Sequence, residues 1–325
     1  MSEEIKYEAT KCQRFNESLD ADGNVVIANI PFQRSRILYE IDIETYKQAL
    51  YEFWEQDYEE LKQIIFDAYP ACIAYNFRLS ERGEGAGDPV RKLLHLKDCW
   101  EAIIFVLYAL VMGEVRKRGV GLKSVQVFVS HDAGGNPIFA NLNTDKILSE
   151  SLKQKLYNIK AIVEHLKGDW LDDVRCECIE VSLIDDLIQL QDIRNDLSHH
   201  NTPTREQAEA ELKLVLPIFR EMLMKTKFLE NCKIFRFDSY SSNCHCESFN
   251  GHFLNREFEN LTLNEPKRNY VIGLNKEQVF VFWDNEVFSL SPFLHFDKDT
   301  TGHESYLCVF KGKRQGKFWN CPVFS

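Results

Sequence analysis

The stretch that decides the fold covers residues 92–119 and reads KLLHLKDCWEAIIFVLYALVMGEVRKRG. Its apolar residues recur at helical spacing and form one wide stripe, made of Leu93, Leu96, Trp100, Ile103, Ile104, Leu107, Leu110 and Val111. This spacing predicts a long helix with a buried face. Lys117 and Arg118, followed by Gly119, indicate its C-terminus, because cations favour the negative end of the helix dipole and glycine accepts the left-handed cap conformation.

Three further amphipathic helices are predicted downstream, at about Thr144–Lys167, Cys178–Ser198 and Thr204–Phe228. Thr204 and Gln207 fit a capping box, in which the side chain of each residue accepts the backbone N–H of the other. Together with the first stretch, these segments predict a four-helix bundle over residues 69–230.

β-Structure is predicted inside the bundle and on both sides of it. Ser124–Leu142 reads as a β-hairpin, because two alternating runs flank a Gly-Gly-Asn-Pro turn. Residues 1–68 combine a β-like run, Asn24–Ile30, with a helix at about Asp42–Ala68. In residues 231–325, turn signals at Asp284–Asn285 and Lys311–Lys313 separate strand-like runs at Lys233–Phe237, Tyr270–Leu274, Val279–Trp283 and Tyr306–Phe310.

The predicted fold is therefore α+β. A four-helix bundle with an inserted β-hairpin occupies residues 69–230, a mixed N-terminal segment occupies residues 1–68, and a small β-rich C-terminal domain occupies residues 231–325. This order, helices first and strands afterwards, favours separate helical and β-rich parts over an alternating parallel sheet.

The composition limits the class of protein. The chain has 325 residues, a formal net charge of −11 and 44% hydrophobic residues, which is typical of a globular protein. The negative charge disfavours a protein that coats nucleic acid with a broad basic face, but it leaves room for a small basic site. The longest apolar run, Ala102–Met112, is too short to span a bilayer, and no signal peptide is recognised. We therefore expect a cytoplasmic protein with reduced cysteines and no membrane contact.

The chemistry is predicted at the junction of the last two helices, where residues 194–199 read RNDLSH. Asn195 and His199 are four residues apart and share a helical face if the helix extends that far. Imidazole can donate or accept a proton near neutral pH, and guanidinium binds phosphate oxygens in a bidentate manner. RNA carries its own nucleophile, which is the 2′-hydroxyl group. Cleavage of RNA therefore needs no metal or cofactor, and it suits the side chains of Arg194, Asn195 and His199.

This segment resembles the R-(polar)-x-x-x-H motif of the HEPN superfamily of ribonucleases, and residues 69–230, about half of the chain, resemble its bundle in helix count and motif placement. The resemblance implies that Arg194, Asn195 and His199 are catalytic, with His200 and Ser198 as auxiliary candidates. It also implies a homodimer that forms one composite site, products with a 2′,3′-cyclic phosphate, and a toxin or antiviral defence effector controlled by a regulatory partner or signal ligand.

Two other interpretations of the same residues stay open. Arg194 and His199 near a helix C-terminus also suit the negative end of the dipole and can bond its free carbonyl groups. A HEPN-like bundle can also act as a non-catalytic dimerisation module, whose β-rich domain binds a partner or a signal ligand.

The best candidate for a metal site is a set of residues after the bundle, namely Cys232, Cys244, His245, Cys246 and His252. Their spacing departs from the C-x-x-C and H-x3-H pairs of structural zinc, and the alternative is a loop with reduced thiols. We therefore expect no metal ion. Gly83–Gly87 and Gly312–Lys317 lack nucleotide-binding spacing, so we expect a loop at the first and a hairpin turn at the second.

Overall fold

The computed structural model describes the backbone of residues 17–19, 25–27, 30–32, 43–132, 134–168, 174–198, 203–239, 244–252, 257–274, 278–298, 305–314 and 317–322. It describes the side chains of residues 55–132, 134–168, 174–191, 203–237, 244–252, 258–274, 278–296 and 307–310. Within these residues the chain has a mixed α+β fold, as the sequence predicts. No helix in this described part is both long enough and apolar enough to cross a membrane.

Helices dominate the region from residue 43 to residue 225. They are α1 (Ile43–Ala68), α2 (Ala71–Glu81), α3 (Pro89–Arg118), α4 (Thr144–Ile147), α5 (Leu152–Gly168), α6 (Val181–Ser198) and α7 (Arg205–Lys225). Short 3₁₀ helices precede α6 at Arg175–Cys178 and follow α7 at Lys227–Asn231. A further helix, α8 (Glu265–Gly273), lies among the C-terminal strands.

The strands form small antiparallel sheets. Before and within the helical region they are β1 (Glu17–Leu19), β2 (Val25–Ile27), β3 (Ile30–Phe32), β4 (Gln126–His131) and β5 (Pro137–Asn141). After it they are β6 (Cys232–Ser239), β7 (Cys244–Ser248), β8 (Glu257–Leu261), β9 (Phe280–Trp283), β10 (Glu286–Ser289), β11 (Leu294–Lys298), β12 (Ser305–Arg314) and β13 (Lys317–Pro322). The sheet orders are β1-β2-β3, β4-β5, β10-β9-β6-β7-β8 and β11-β12-β13.

Helix α3 is the central element, and its ends follow from its sequence. Asp88 caps the N-terminus, because its side chain accepts the backbone N–H groups of Val90 and Arg91. Gly119 ends the helix in the left-handed conformation, with φ 65°. Between these caps α3 packs against α2, α5 and α7, and it also contacts β10 and β11.

One hydrophobic core joins the helices to the C-terminal strands. Trp283, Phe288 and Leu294 belong to the same buried cluster as the apolar face of α3. At Gly113 the helix approaches β10 so closely that an added Cβ would lie 2.8 Å from the Ser289 carbonyl oxygen. The core therefore continues across the boundary predicted at residues 230 and 231, while the predicted domain limits themselves stay predictions.

Several local predictions are confirmed. The backbone N–H of Thr204 donates to Gln207 Oε1 at 2.8 Å and that of Gln207 donates to Thr204 Oγ1 at 3.3 Å, which completes the capping box of α7. The β4–β5 hairpin forms within the predicted Ser124–Leu142 segment. Asp284 and Asn285 turn the chain between β9 and β10 with φ 43° and φ 66°.

Two predictions about the C-terminal region are wrong. Tyr270–Leu274 is not a strand, because its residues up to Gly273 belong to α8, which starts where the Asn264 side chain accepts the Lys267 N–H. A five-residue apolar run is too short to distinguish a strand from a helix. Lys311–Lys313 is not a turn, because β12 extends to Arg314 and a register shift between Phe310 and Gly312 accommodates the extra residue.

Two predictions about the helical region also need correction. The single helix expected at Thr144–Lys167 is divided into α4 and α5, and Ser151 Oγ accepts the Gln154 N–H at the start of the second part. Helix α2 has no counterpart among the predictions. Most of its residues are buried on all sides, for example Cys72, Ile73 and Phe77, so its sequence carries little amphipathic periodicity.

Candidate functional site

The predicted catalytic motif lies at the C-terminal end of α6. Arg194 and Asn195 are in the last turns of this helix, and Ser198 is its final residue. The side chains of these three residues lie outside the described part of the structure. His199 and His200 lie wholly outside the described residues. The structure therefore fixes the backbone position of five of the six motif residues and leaves the side-chain geometry of the motif as a prediction.

The part of α6 before the motif is firmly packed. Its residues Leu183, Ile184, Leu187 and Leu190 are buried in the main core. Trp100 Nε1 of α3 donates to the Leu187 carbonyl oxygen at 3.3 Å. On the outer side, Asp186 accepts from Lys225 Nζ of α7 at 2.6 Å. These contacts with α3 and α7 fix the axis of α6 up to the turn that precedes Arg194.

An apolar cavity of about 30 Å³ adjoins this turn. Leu190 lies one helical turn before Arg194 and forms part of the wall, together with Leu93, Leu96, Lys97, Trp100, Val215 and Phe219. Lys97 supplies a cation to the wall and lies 3.3 Å from the Asp98 carboxylate. The cavity thus lies between α3, α6 and α7, close to the end of α6 that carries the motif.

The start of α7 is fixed on the other side of the motif. The capping box places the helix start at Arg205, a few residues after α6 ends. The pKa of the Glu206 carboxyl lies below its usual value, because its own backbone N–H and the Thr204 side chain donate hydrogen bonds to it. A negative charge in the first turn also suits the positive end of the α7 dipole.

The structure does not bring the candidate metal ligands together. Cys232 lies in the main core, whereas Cys244 and Cys246 lie in a second cluster with Phe235 and Phe237. Cys232 Sγ is 3.9 Å from the Phe228 carbonyl oxygen, and burial raises the pKa of its thiol.

His252 and His245 are held elsewhere. His252 Nδ1 is 2.7 Å from the Phe66 carbonyl oxygen, and His245 stacks on Phe258 with the ring centroids 5.5 Å apart. Among the described residues, no group of three or more His, Cys, Asp or Glu side chains could hold a metal ion.

Glu114, a buried carboxylate of α3, was not singled out by the sequence. It accepts the backbone N–H groups of Arg175 and Cys176 at 2.8 and 2.7 Å, and Arg118 Nε at 3.0 Å. A charged residue two positions after the apolar run Ala102–Met112 was the available signal, since buried carboxylates need several partners. Its partners identify a structural role, because it ties the 3₁₀ helix before α6 to α3.

Comparisons with known proteins give no relatives. No protein-family model matches the chain, no curated protein matches it, and no solved structure matches it.

Proposed function

We propose that this protein is a metal-independent endoribonuclease of the HEPN type, with Arg194, Asn195 and His199 as its catalytic residues. The observation that carries the proposal is the placement of the motif. It starts in the last turns of a helix that is anchored by α3 and α7, and a capped helix starts shortly after it. Such a junction can present polar side chains to a substrate while packing holds the backbone.

The proposed reaction needs only groups of the RNA and of the protein. The 2′-hydroxyl oxygen attacks the adjacent phosphorus atom and its proton passes to a base, for which His199 is the candidate. The bond from phosphorus to the 5′-oxygen breaks, and this oxygen takes up a proton from an acid, a role that the second His199 of a dimer can fill. The products are a 2′,3′-cyclic phosphate and a free 5′-hydroxyl. Arg194 stabilises the charge on the equatorial oxygens, and Asn195 orients the reacting groups.

The wider biological proposal follows from the resemblance. Two copies of the chain would pair so that two motifs form one site, and the nuclease would act as a toxin or antiviral effector under the control of a partner or signal ligand. The placement of the motif at one end of the bundle supports pairing, because a helix end can face its symmetry mate without disturbing the core.

Substitution of the catalytic histidine tests the proposal. His199→Ala should lower the rate of RNA cleavage by at least about 10²-fold, since general acid–base catalysis contributes that much or more. The assay follows cleavage of labelled RNA in EDTA and identifies the product ends. His131→Ala is the matched control, because it makes the same change at an exposed histidine of the β4–β5 hairpin, outside the motif, and should keep most of the activity. Undiminished cleavage by His199→Ala, or wild-type products without cyclic phosphate, would contradict the mechanism.

A non-catalytic interaction protein is the second candidate, and the β4–β5 hairpin favours it. Val129, Ile138 and Phe139 are exposed on this hairpin, with Phe139 54% exposed. Ile138 and Phe139 are consecutive in β5 and point to opposite faces, so apolar side chains are exposed on both faces of the hairpin, and exposed apolar surface is typical of protein contacts. Expression in bacteria separates the two candidates. Growth inhibition by the intact chain but not by His199→Ala supports the nuclease. Loss of a bound partner after Phe139→Ser, with no RNA cleavage by the intact chain or by Phe139→Ser, supports the interaction protein.

A further inference from the structure

A group of cations lies where the end of α3 meets α8. Lys117 Nζ of α3 is 3.4 Å from the centre of the Tyr270 ring of α8. Lys267 lies one turn before Tyr270 on the same helix, and its charge acts on Lys117. Arg116 precedes Lys117 and its charge acts on Tyr270. We call Arg116, Lys117, Lys267 and Tyr270 the basic patch.

The cations of the basic patch are not neutralised in the way that many other cations of the protein are. Within the described residues, none of the three lies within ion-pair distance of a carboxylate. Arg116 instead donates to the carbonyl oxygens of Ser289, at 2.6 Å, and of Ser291. By contrast, Arg118 pairs with Glu114. An acidic contribution at the patch comes from Glu286 of β10, whose charge acts on Lys117.

Gathering these charges has an electrostatic cost. Partial burial of the ammonium group lowers the pKa of Lys117, the charges of Arg118 and Lys267 add to this, and Glu286 opposes it. Carboxylates are abundant in a chain with a net charge of −11. The fold nevertheless places two like charges near each other, those of Lys117 and Lys267, which are 150 positions apart in the sequence. Such an arrangement is favourable once an anion is bound, and it marks a candidate binding site.

We infer that the basic patch binds the phosphate backbone of single-stranded RNA and so gives the substrate a second point of attachment, away from the cleavage motif. This inference rests on the proposed function. The cations lie on an open surface and come from two helices, which suits an extended polyanion better than a small phosphate ester that needs an enclosing pocket. Arg116 and Lys117 are exposed, and Lys267 is half-buried.

The distance between the two points follows from α3. Trp100 contacts α6 near the motif, and Lys117 lies seventeen residues further along the same helix. At the helical rise per residue this separation is about 25 Å, and the α6 residues from Leu187 to Arg194 add about 10 Å, because α6 runs antiparallel to α3. A strand several nucleotides long is needed to reach both points, so short substrates should gain nothing from the patch.

The test measures RNA binding without cleavage. The probe is a fluorescein-labelled oligouridylate with methylated 2′-oxygens, which cannot be cut by 2′-hydroxyl attack, and anisotropy is recorded over a series of salt concentrations. Lys117→Gln/Lys267→Gln should weaken binding roughly tenfold and reduce the slope of log K against log salt by about 1.4, since each single-strand phosphate contact contributes about 0.7. The control, Lys146→Gln/Lys160→Gln, removes the same charge elsewhere and should bind as the wild type does.

The outcomes separate this inference from the proposed function. Unchanged affinity and salt slope for the patch variant overturn the inference, even if the wild type cuts RNA. The inference is also overturned if the wild type does not bind the probe, or if the control variant loses as much affinity as the patch variant. Patch-dependent binding with no cleavage by the wild type supports the inference and contradicts the nuclease. In a cleaving wild type, the patch variant should lose activity on long RNA and keep it on short RNA.

Discussion

The two ends of α3 meet different surroundings. Near its N-terminus Leu93, Leu96 and Trp100 pack around an apolar cavity beside the last turns of α6, where the proposed catalytic motif lies. Near its C-terminus Glu114 is enclosed by hydrogen-bond donors, and the cations of the basic patch meet α8. The helix therefore has an end with loose apolar packing and an end with tight polar packing. We expect these ends to respond differently to substitution.

The largest effect on stability is expected at the polar end. Glu114→Ala removes the acceptor of the Cys176 backbone N–H, which is buried, and of the Arg175 N–H, which is partly buried, together with one partner of Arg118. The free energy of unfolding should therefore fall by about 3–5 kcal/mol. Urea unfolding followed by circular dichroism measures it. Glu177→Ala, an exposed residue of the 3₁₀ helix that Glu114 caps, is the control and should change stability by less than about 0.5 kcal/mol. Equal losses of unfolding free energy in the two variants would contradict the prediction that the buried Glu114 stabilises the fold more than the exposed Glu177 does.

A smaller effect is expected at the apolar end. Leu190→Ala removes a buried side chain from the wall of an existing cavity, so its loss should lie near the low end of the usual range, about 2 kcal/mol. The same urea unfolding experiment applies. Leu94→Ala, which truncates an exposed leucine of α3, should have almost no effect. A loss for Leu190→Ala that exceeds the loss for Glu114→Ala would reverse the comparison.

The smallest effect is a pH dependence that arises between the two ends. Lys155 of α5 is fully buried near the rings of Phe105 and Tyr108, and its Nζ donates to the Ser149 carbonyl oxygen. Burial lowers its pKa from 10.5 to about 8, while Glu150 opposes the shift. Above pH 8 the folded protein releases this proton and the unfolded chain keeps it, so the free-energy cost of burying Lys155 falls and the fold becomes more stable as pH rises.

Between pH 7 and pH 9 this linkage should add about 1 kcal/mol, since one pKa unit corresponds to about 1.4 kcal/mol. The measurement is the difference in unfolding free energy between the wild type and Lys155→Met at both pH values, because other titrating groups cancel in that difference. A difference that does not change with pH would contradict the lowered pKa of Lys155.

Local patterns predicted local structure well. The capping box at Thr204 and the turn at Asp284–Asn285 each depend on a few neighbouring residues with specific backbone preferences, and both are present. The five-residue run that begins at Tyr270 failed, because the helix signal lies outside it, at Asn264 and Pro266. The prediction of a single helix at Thr144–Lys167 failed, because Lys155 bonds the Ser149 carbonyl group in the loop between α4 and α5, a contact that periodicity does not reveal.

The candidate site shows the same limit. The position of the motif at the end of α6 was predictable from helical periodicity and the cap that follows. The cavity at Leu190 and the contact between Lys117 and Tyr270 were not, since they depend on which distant segments pack together. The backbone partners of Glu114, Arg175 and Cys176, also come from a segment some sixty residues later.

The shared core of helices and C-terminal strands has a consequence for synthesis on the ribosome. Helix α3 ends at Arg118, but β10, which covers it at Gly113, begins only at Glu286. At about 5–20 residues per second, the apolar surface of the emerging helix waits roughly 10 to 30 s for this cover. We expect the nascent chain to depend on chaperones during that interval, and substitutions that slow synthesis between these two segments to lower the yield of folded protein.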